Sequence, residues 1–476
     1  MSKARITNVL AARYASPGMA HLWSAERKVI LERELWVAVL EGQRRLGLDV
    51  DAQVIDDYRA VIDKVDLDSI QRRERITLHD VKARIEEFCA LAGHEHVHKG
   101  MTSRDLTENV EQLQVRRALE HVRDRLISVL VRFAERAEEY RELVITGRSH
   151  NVPAQATTLG KRLANLGQEI LLATERIDEL LDRYPLRGLK GPVGTQQDLL
   201  DLFDGDVDKV SGLEAAIAEQ LGFSRTLDAV GQVYPRSLDL EVVSALVQGA
   251  AGLADFAVLV RLMAGHDLVT EGFVDGQVGS SAMPHKMNTR STERISGFLT
   301  ILRGHLTMAG SLAGDQWNEG DVSCSVVRRV MLPDAFFAMD GALETTLTVL
   351  DGFGAYPRVI ERELERYLPF LATTKLLMAA VKAGAGREQA HERIKEHAVA
   401  AALALRESAS GDNVFLNEVA ADPEIPLDAA AVAAAVADPG AFVGRAAAQV
   451  DEFGAQVAAL VARHPHAGSY QPAPIL

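Results

Sequence analysis

The pattern of apolar and polar positions along this 476-residue chain predicts a protein built of long helices. Apolar residues recur three and four positions apart, which is the spacing of one buried face on a helix. Beyond residue 362 the predicted helices become shorter and rich in alanine. The segments with helical spacing are 24–46, 81–91, 105–145, 157–183, 207–221, 237–268, 290–313, 330–350, 359–383, 427–436 and 441–462.

The segment from Asp105 to about Ile145 contains neither glycine nor proline, and its apolar positions form one sustained stripe. At about 1.5 Å of rise per residue, such a helix would extend roughly 60 Å. A rod of that length cannot bury its stripe alone. The pattern therefore predicts a long bundle that is shared between subunits.

The expected fold is all-α, with an elongated central helical bundle and smaller helical domains before and after it. A chain of this length exceeds one typical hydrophobic core. We place the N-terminal helical domain at residues 1–104, the central bundle at 105–361 and the C-terminal helical domain at 362–476, because the longest helical segments lie between about 105 and 360.

Composition narrows the classes of partner. The formal net charge of −15 argues against nucleic acid and against an anionic membrane surface. The chain has no run of 18 apolar residues and no signal-like N-terminus, and its two cysteines, Cys89 and Cys324, lie far apart. These features predict a soluble cytoplasmic protein with reduced thiols.

The sequence contains partial matches to metal-binding motifs, but none of them is both complete and in the right context. Residues 94–98 match the zinc-protease pattern His-Glu-x-x-His, but glycines bracket them, whereas that motif functions on a helix. Aspartates alternate at 204–208 as in a calcium loop, yet the turn glycine and the bidentate glutamate are missing. No Rossmann glycine fingerprint occurs. We expect neither a metal nor a cofactor.

Three loops carry the candidate chemistry. The loop at 276–288 is rich in glycine, which lets backbone N–H groups point at an anion, and it also contains Ser280, Ser281 and Lys286. The loop at 98–105 places two hydroxyl residues before a helix, and the loop at 147–150 reads Gly-Arg-Ser-His. The loop at 276–288 is a candidate for an active-site lid, with a polar helix–helix connection as the alternative. For Thr102 and Ser103 the alternative is helix capping.

These loops resemble, in chain order, the three signature segments of the fumarase/aspartase superfamily, whose members are all-α homotetrameric lyases that release fumarate. Within it the sequence is most similar to the adenylosuccinate lyases. The similarity lies in Arg-Tyr-x-Ser-Pro at 13–17, His-Asp-Val at 79–81, Gln-x-Tyr-x-Arg at 232–236 and Pro-His-Lys at 284–286. Met-Asn-Thr at 287–289 departs from that family, which usually has a basic residue or valine followed by Asn-Pro.

The resemblance implies roles for the residues of these segments. Ser280 would be the general base that removes a proton from the succinyl carbon, His150 the general acid for the departing nitrogen, and Glu293 the carboxylate that orients His150. A serine hydroxyl is a weak base, and no neighbour in sequence would obviously take its proton.

Further positions match the family's substrate-binding residues. Arginine suits a nucleotide phosphate because of its bidentate geometry. For Arg329, the adjacent Arg328 is an alternative inward-pointing residue. The implied substrate-binding set is Arg13, Tyr14, His79, Asp80, His98, Thr102, Ser103, Gln232, Ser281, Lys286, Asn288, Arg294, Ser325 and Arg329.

The function implied by the resemblance is β-elimination of fumarate from adenylosuccinate, which gives AMP. The same reaction is expected on the succinylated aminoimidazole carboxamide ribotide of purine biosynthesis. The expected assembly is a homotetramer with active sites shared between subunits. Carboxymuconate cycloisomerases, which share Pro-His-Lys, and argininosuccinate lyases are the alternatives within the superfamily. A catalytically silent structural relative is the alternative of another class.

Overall fold

The computed structural model describes residues 7–272, 283, 285–407 and 413–472. Within them, short antiparallel strand pairs join β1 (Val144–Ser149) to β2 (Val152–Thr158) and β3 (Val269–Thr270) to β4 (Gly354–Ala355). The α-helices are α1 (Val9–Arg13), α2 (Pro17–Leu22), α3 (Ala25–Arg45), α4 (Ala52–Arg59), α5 (Leu67–Thr77), α6 (Asp80–Ala92), α7 (Ser103–Glu139), α8 (Leu159–Arg183), α9 (Gln197–Leu202), α10 (Val207–Gln220), α11 (Ser237–Ala264), α12 (Arg290–Leu312), α13 (Ser323–Gly352), α14 (Pro357–Leu371), α15 (Thr373–Lys382), α16 (Arg387–Glu407), α17 (Phe415–Ala421), α18 (Ala429–Val436) and α19 (Ala446–Arg463).

Helices α7, α8, α11, α12 and α13 pack side by side as the central bundle. Helices α7 and α13 run in the same direction, because Glu111 pairs with Arg328 near their starts and Arg132 pairs with Asp351 near their ends. Helix α11 runs with them, and α8 and α12 run the opposite way. The all-α class is confirmed.

The bundle therefore has two ends. We call the end at which α7, α11 and α13 begin the first end; α8 and α12 finish there. The end at which α7, α11 and α13 finish is the second end, and α8 and α12 begin there. Helix α7 has 37 residues, so the two ends lie roughly 55 Å apart.

One continuous cluster of buried apolar side chains runs through the N-terminal helices and the bundle, from Leu10 to Ile360. Helix α19 also belongs to it, because Phe453 packs where Gly167 of α8 has no side chain. A separate apolar cluster lies between Ala372 and Val432. The domain boundaries at 104/105 and 361/362 stay predictions.

Helix α11 is long and apolar enough to span a membrane by length and composition, with a mean hydropathy of 1.7 over its most apolar window. However, 61% of that window is buried inside the protein, where the helix packs against α8, α12 and α13. Its composition is accounted for by its place at the centre of the bundle.

The largest differences from the predicted elements are at three places, and several helices, including α4, α5 and α16, were not predicted. Helix α7 ends at Glu139 rather than near residue 145, because the chain enters the β1–β2 hairpin, which was expected to be a loop. Helix α13 begins at Ser323, before the predicted start at 330. The segment predicted as one helix at 359–383 breaks into α14 and α15 at Ala372.

Candidate active site

Asp105 organises the first end of the bundle. The Thr102 side chain caps α7, and Asp105 Oδ2 accepts the Thr102 N–H at 2.8 Å, which completes a capping box. The other oxygen, Oδ1, accepts from Arg187 Nη1 at 2.6 Å and from two backbone N–H groups, at Lys190 and Gly191. The loop at 187–196 is thereby fixed beside the hydroxyls of Thr102 and Ser103.

His98 lies next to this helix start in a left-handed backbone conformation, with φ 72°. Trp36 Nε1 donates a hydrogen bond to His98 Nδ1 at 3.1 Å, so the neutral ring carries its proton on Nε2. Burial lowers the pKa of the imidazole to about 4. His98 is therefore neutral near pH 7 and presents an N–H donor.

Two further loops meet at the first end. The Gln232 N–H donates to the Glu319 carbonyl at 2.6 Å, and a Cβ at Gly231 would overlap the backbone of Glu319. The loop that carries Gln232 therefore rests directly on the loop that leads into α13 and Ser325. Two predicted substrate-binding residues are brought to the same end by this contact.

Of the two adjacent arginines on α13, Arg328 points inward and Arg329 is exposed. Arg328 Nε donates to Asp239 at 2.7 Å and Nη1 donates to Glu111 at 2.6 Å, and the guanidinium also bonds the Tyr234 hydroxyl. Burial alone would raise the pKa of Glu111, but the Arg328 charge lowers it to about 2. Arg328 ties α7, α11 and α13 together, and Arg329 stays a predicted substrate-binding residue.

His79 and Asp80 lie at the start of α6. His79 is exposed and caps the helix, because its Nδ1 accepts the Lys82 N–H at 3.2 Å. Asp80 pairs with Arg84 at 3.1 Å, and Arg84 also contacts the buried Glu32 at 2.6 Å. The geometry supplies a structural role for both predicted residues, which does not prevent contact with a substrate.

Tyr14 and Arg294 are brought together, as the prediction of a shared nucleotide site requires. The Arg294 guanidinium lies 5.5 Å from the centre of the Tyr14 ring, and Tyr14 meets the Phe298 ring edge-on at 5.3 Å. The backbone just beyond Tyr14 is fixed by Asp340, which accepts the Ser16 N–H at 2.6 Å. Arg13 is exposed beside them.

His150 lies at the tip of the β1–β2 hairpin, at the second end. His150 and Asn151 both have positive φ, 51° and 63°, which is the geometry of a tight hairpin turn of type I′. The hairpin packs on α14, where Arg148 pairs with Glu363 and stacks near the Tyr367 ring. A rigid two-stranded element thus presents an exposed imidazole.

A cavity of about 450 Å³ lies at the same end. Its lining includes Lys286, Asn288 and Glu293, all predicted site residues, together with Glu271 and Tyr356. Glu271 was missed in the sequence, because it precedes the glycine-rich loop without any periodic signal. Ser280 and Ser281 lie outside the described residues.

The predicted residues therefore divide between the two ends of one protomer. His98, Thr102, Ser103, Gln232, Ser325 and Arg329 belong to the first end, and His150, Lys286, Asn288, Glu293 and Arg294 to the second. Because α7 has 37 residues, roughly 55 Å separates the two groups. A single copy of the chain does not gather them into one pocket.

The zinc-like motif at 94–98 is not on a helix, because it follows the end of α6 as a series of turns. His94 instead bonds the Asp57 carboxylate at 2.7 Å, and its carbonyl accepts from the Tyr58 hydroxyl at 2.6 Å. These residues hold the α4–α6 junction together.

Sequence comparison matches most of the chain to known protein families. The sequence model of a family described as Lyase matches residues 21–304, and that described as Adenylosuccinate lyase C-terminus matches residues 369–453. Adenylosuccinate lyase of Saccharomyces cerevisiae is 35% identical over 94% of this chain and 93% of its own length. The enzyme of that name from Schistosoma mansoni is 33% identical over 94% and 93%.

Solved structures share the fold. The 3-carboxy-cis,cis-muconate lactonizing enzyme of Pseudomonas putida superposes with a TM-score of 0.81 at 19% identity, over 96% of this chain and all of that one (100%). Fumarate lyase of Mesorhizobium sp. BNC1 gives 0.78 at 20%, over 93% and 98%. At such identities the likeness concerns the fold alone. The family comes from the sequence matches, which cover the bundle and the C-terminal helices alike: the chain belongs to the adenylosuccinate lyase family.

Proposed function

We propose that this protein cleaves adenylosuccinate to AMP and fumarate by β-elimination. It cleaves the succinylated aminoimidazole carboxamide ribotide of purine biosynthesis in the same way. The observation that carries the proposal is the 35% identity to a relative named adenylosuccinate lyase over 94% of this chain. The cytoplasm is the proposed location, in line with the free thiols of Cys89 and Cys324.

The second end supplies the proton chemistry in this proposal. His150 donates a proton to the departing nitrogen from the hairpin tip, and Glu293 orients the imidazole. Ser280 removes the proton from the succinyl carbon, a role that rests on the resemblance of the loop sequence. Lys286 and Asn288, which line the cavity, stabilise the negative charge that develops on the neighbouring carboxylate.

The first end binds the substrate's carboxylates and base. The hydroxyls of Thr102 and Ser103 lie at the start of α7, where the helix dipole favours an anion. His98 adds a neutral N–H donor, so this contact does not depend on pH near neutrality. The phosphate side of the pocket comes instead from Arg294 of the second end, with Arg13 and Tyr14 beside it, because arginine binds phosphate with two parallel hydrogen bonds.

We further propose a homotetramer in which the first end of one subunit meets the second end of another. The separation of roughly 55 Å within one chain, from the 37 residues of α7, supports this arrangement. So do exposed apolar side chains at helical spacing on α11, α12 and α13. These are Val258, Leu262, Ile301, Met308, Val326 and Val330.

Turnover of adenylosuccinate and argininosuccinate, followed by the absorbance of released fumarate, tests the function, together with turnover of carboxymuconate, which forms a lactone without releasing fumarate and is followed by loss of its own diene absorbance. We expect turnover of adenylosuccinate alone. His150→Ala and Ser280→Ala should each abolish it while the tetramer, measured by sedimentation, stays intact. Turnover of carboxymuconate instead would overturn the substrate assignment, and no turnover of any substrate would favour a catalytically silent relative.

A further inference from the structure

We propose that Glu271 is a positioning residue for this reaction: its carboxylate holds the first turn of α12 and thereby fixes the places of Glu293 and Arg294. The effect on turnover rests on the proposed function. The anchoring itself rests on the geometry of the second end.

One carboxylate satisfies two donors at the start of α12. Glu271 Oε1 accepts the Ser291 N–H at 2.9 Å, and Oε2 accepts the Thr292 N–H at 3.0 Å. The Glu271 side chain is buried, with 9% exposure for the residue. Hydrogen bonds from N–H groups to a charged acceptor are stronger than neutral ones, especially away from water.

Helix α12 lacks the local side-chain cap that α7 and α8 have. The residues Thr102 and Thr158 cap α7 and α8 with their own side chains, whereas Thr289 makes no such bond at the start of α12. The first turn of a helix leaves N–H groups without partners inside the helix, and its dipole favours a negative charge there. Glu271 fills both needs from 20 residues away in the chain.

Glu271 is itself held in place. The preceding residues pair as β3 with β4, so they are joined to the end of α13. Gly272 has φ +96°, and a Cβ there would lie 3.0 Å from the Gly352 backbone. A carboxylate on this element therefore links the ends of α11 and α13 to the start of α12.

The anchored turn carries two predicted site residues. The Glu293 N–H donates to the Thr289 carbonyl at 3.2 Å, in the same first turn, and Arg294 follows it. Glu271 and Glu293 line one cavity. In the proposed reaction Glu293 orients His150, and misplacement by about 1 Å can reduce the rate roughly a hundredfold.

The test is Glu271→Gln, which keeps the size of the side chain. The amide oxygen accepts one N–H, but the amide NH₂ faces the other donor. We expect kcat to fall at least tenfold with KM changed less than threefold.

A second variant and a matched control separate positioning from stability. Gly272→Ala moves Glu271 without removing its charge, and it should give the same kinetic pattern. Asp206→Asn makes the same carboxylate-to-amide change at the cap of α10, where Asp206 accepts the Lys209 N–H at 3.1 Å. It should leave kcat unchanged and change Tm little, because Asn and Asp cap helices about equally well.

Amide hydrogen exchange at residues 291 and 292, without substrate, tests the anchoring apart from the function. Exchange should be faster in Glu271→Gln than in the wild type and in Asp206→Asn. Unchanged exchange would overturn the inference. So would a fall in kcat that only matches the fraction of protein lost to unfolding. Wild-type protein that turns over no adenylosuccinate would refute the proposed function and leave the exchange result standing.

Discussion

Asp105 and Arg187 form an ion pair in which neither side chain is exposed to solvent. The pair joins the start of α7 to the loop at 187–196. Removing one partner leaves the other charge buried without its counter-charge. Breaking the pair should therefore destabilise the first end of the bundle, even though an intact buried ion pair need not be more stabilising than an apolar pair.

Arg187→Met should lower the free energy of unfolding by about 3–5 kcal/mol, because the Asp105 carboxylate keeps its backbone N–H bonds but loses its cation. Urea unfolding followed by circular dichroism measures the change. Arg141→Met is the control, since Arg141 pairs with Asp451 on the surface and should cost less than about 1 kcal/mol. Equal losses in the two variants would contradict the buried role of Arg187.

His98 should make stability depend on pH on the acid side. Burial lowers its pKa to about 4 from an ordinary value near 6.5, so the folded state favours the neutral ring. The stabilisation is fully present above about pH 6.5 and is lost as the pH falls toward 4, at up to about 1.4 kcal/mol per pH unit.

The variant His98→Gln keeps an acceptor for Trp36 and removes the titrating group. Its free energy of unfolding should fall less than that of the wild type between pH 6.5 and 4, as measured by urea unfolding at each pH. Parallel curves for the two proteins would show that His98 is not the group responsible.

The sequence did not determine which of the adjacent residues Arg328 and Arg329 points into the protein. Neighbours on a helix point about 100° apart, so one of two adjacent arginines is expected inward. Arg328 is the inward one because it pairs with Glu111 on α7 and Asp239 on α11. Both partners are far from α13 in the chain. Local spacing carries no information on those partners.

At the scale of elements, the β1–β2 hairpin decides where the proposed general acid lies. Its turn needs positive φ at His150 and Asn151. Asparagine tolerates that conformation and glycine has no penalty for it, but a β-branched residue is strained there.

Asn151→Val should therefore distort the hairpin tip, at a cost of about 1–2 kcal/mol. We expect kcat for adenylosuccinate to fall at least tenfold, because His150 is the neighbouring residue. Asn151→Gly should stay within about twofold of the wild type, since glycine accepts positive φ. The fumarate assay measures both, and equal activities would show that the turn does not position His150.

The helices were predictable and the hairpin was not, for a physical reason. The apolar stripe of α7 repeats over many turns, so its existence follows from the sequence even though its end does not. Strands β1 and β2 have 6 and 7 residues and include glycine, proline and several polar residues. Such a segment has the composition of a loop, and its strands form because α14 supports them.

At the scale of the whole molecule, the two ends of the bundle predict complementation between variants. Gln232→Met, at the first end, and His150→Ala, at the second, should each be nearly inactive alone. Mixed subunits should recover activity at about one site in four, because each contributing end is native half of the time. Mixing after partial unfolding and refolding, followed by the fumarate assay, measures the recovery.

A mixture of Gln232→Met with wild-type protein is the control for the refolding step. No recovery in the mixture of the two variants, with about half of the sites active in the control, would place both residues in a site built by one chain. Gln232 remains bonded through its backbone in the variant, so the loop at 231–236 should keep its place.

The elongated bundle was predictable from the length of one apolar stripe, but the return of α19 to it was not. Val450, Phe453 and Val457 have the spacing of any amphipathic helix. This spacing predicts an apolar face but does not show which surface of the protein that face covers. That surface includes Gly167 of α8 and the middle of α7.

The place of α19 has a consequence for the order in which the protein is made. Ser128 on α7 bonds the Ala467 carbonyl at 2.6 Å, and Arg132 bonds the Tyr470 carbonyl at 2.8 Å. A ribosome that has synthesised α7 and α8 has more than 250 residues still to add before these partners emerge, as the numbering of the chain shows. Apolar surface on α7 and α8 stays uncovered throughout that interval, and nascent chains in this state are the ones that chaperones bind. We therefore expect the final packing of the bundle to follow the emergence of residues 467–470 from the ribosome.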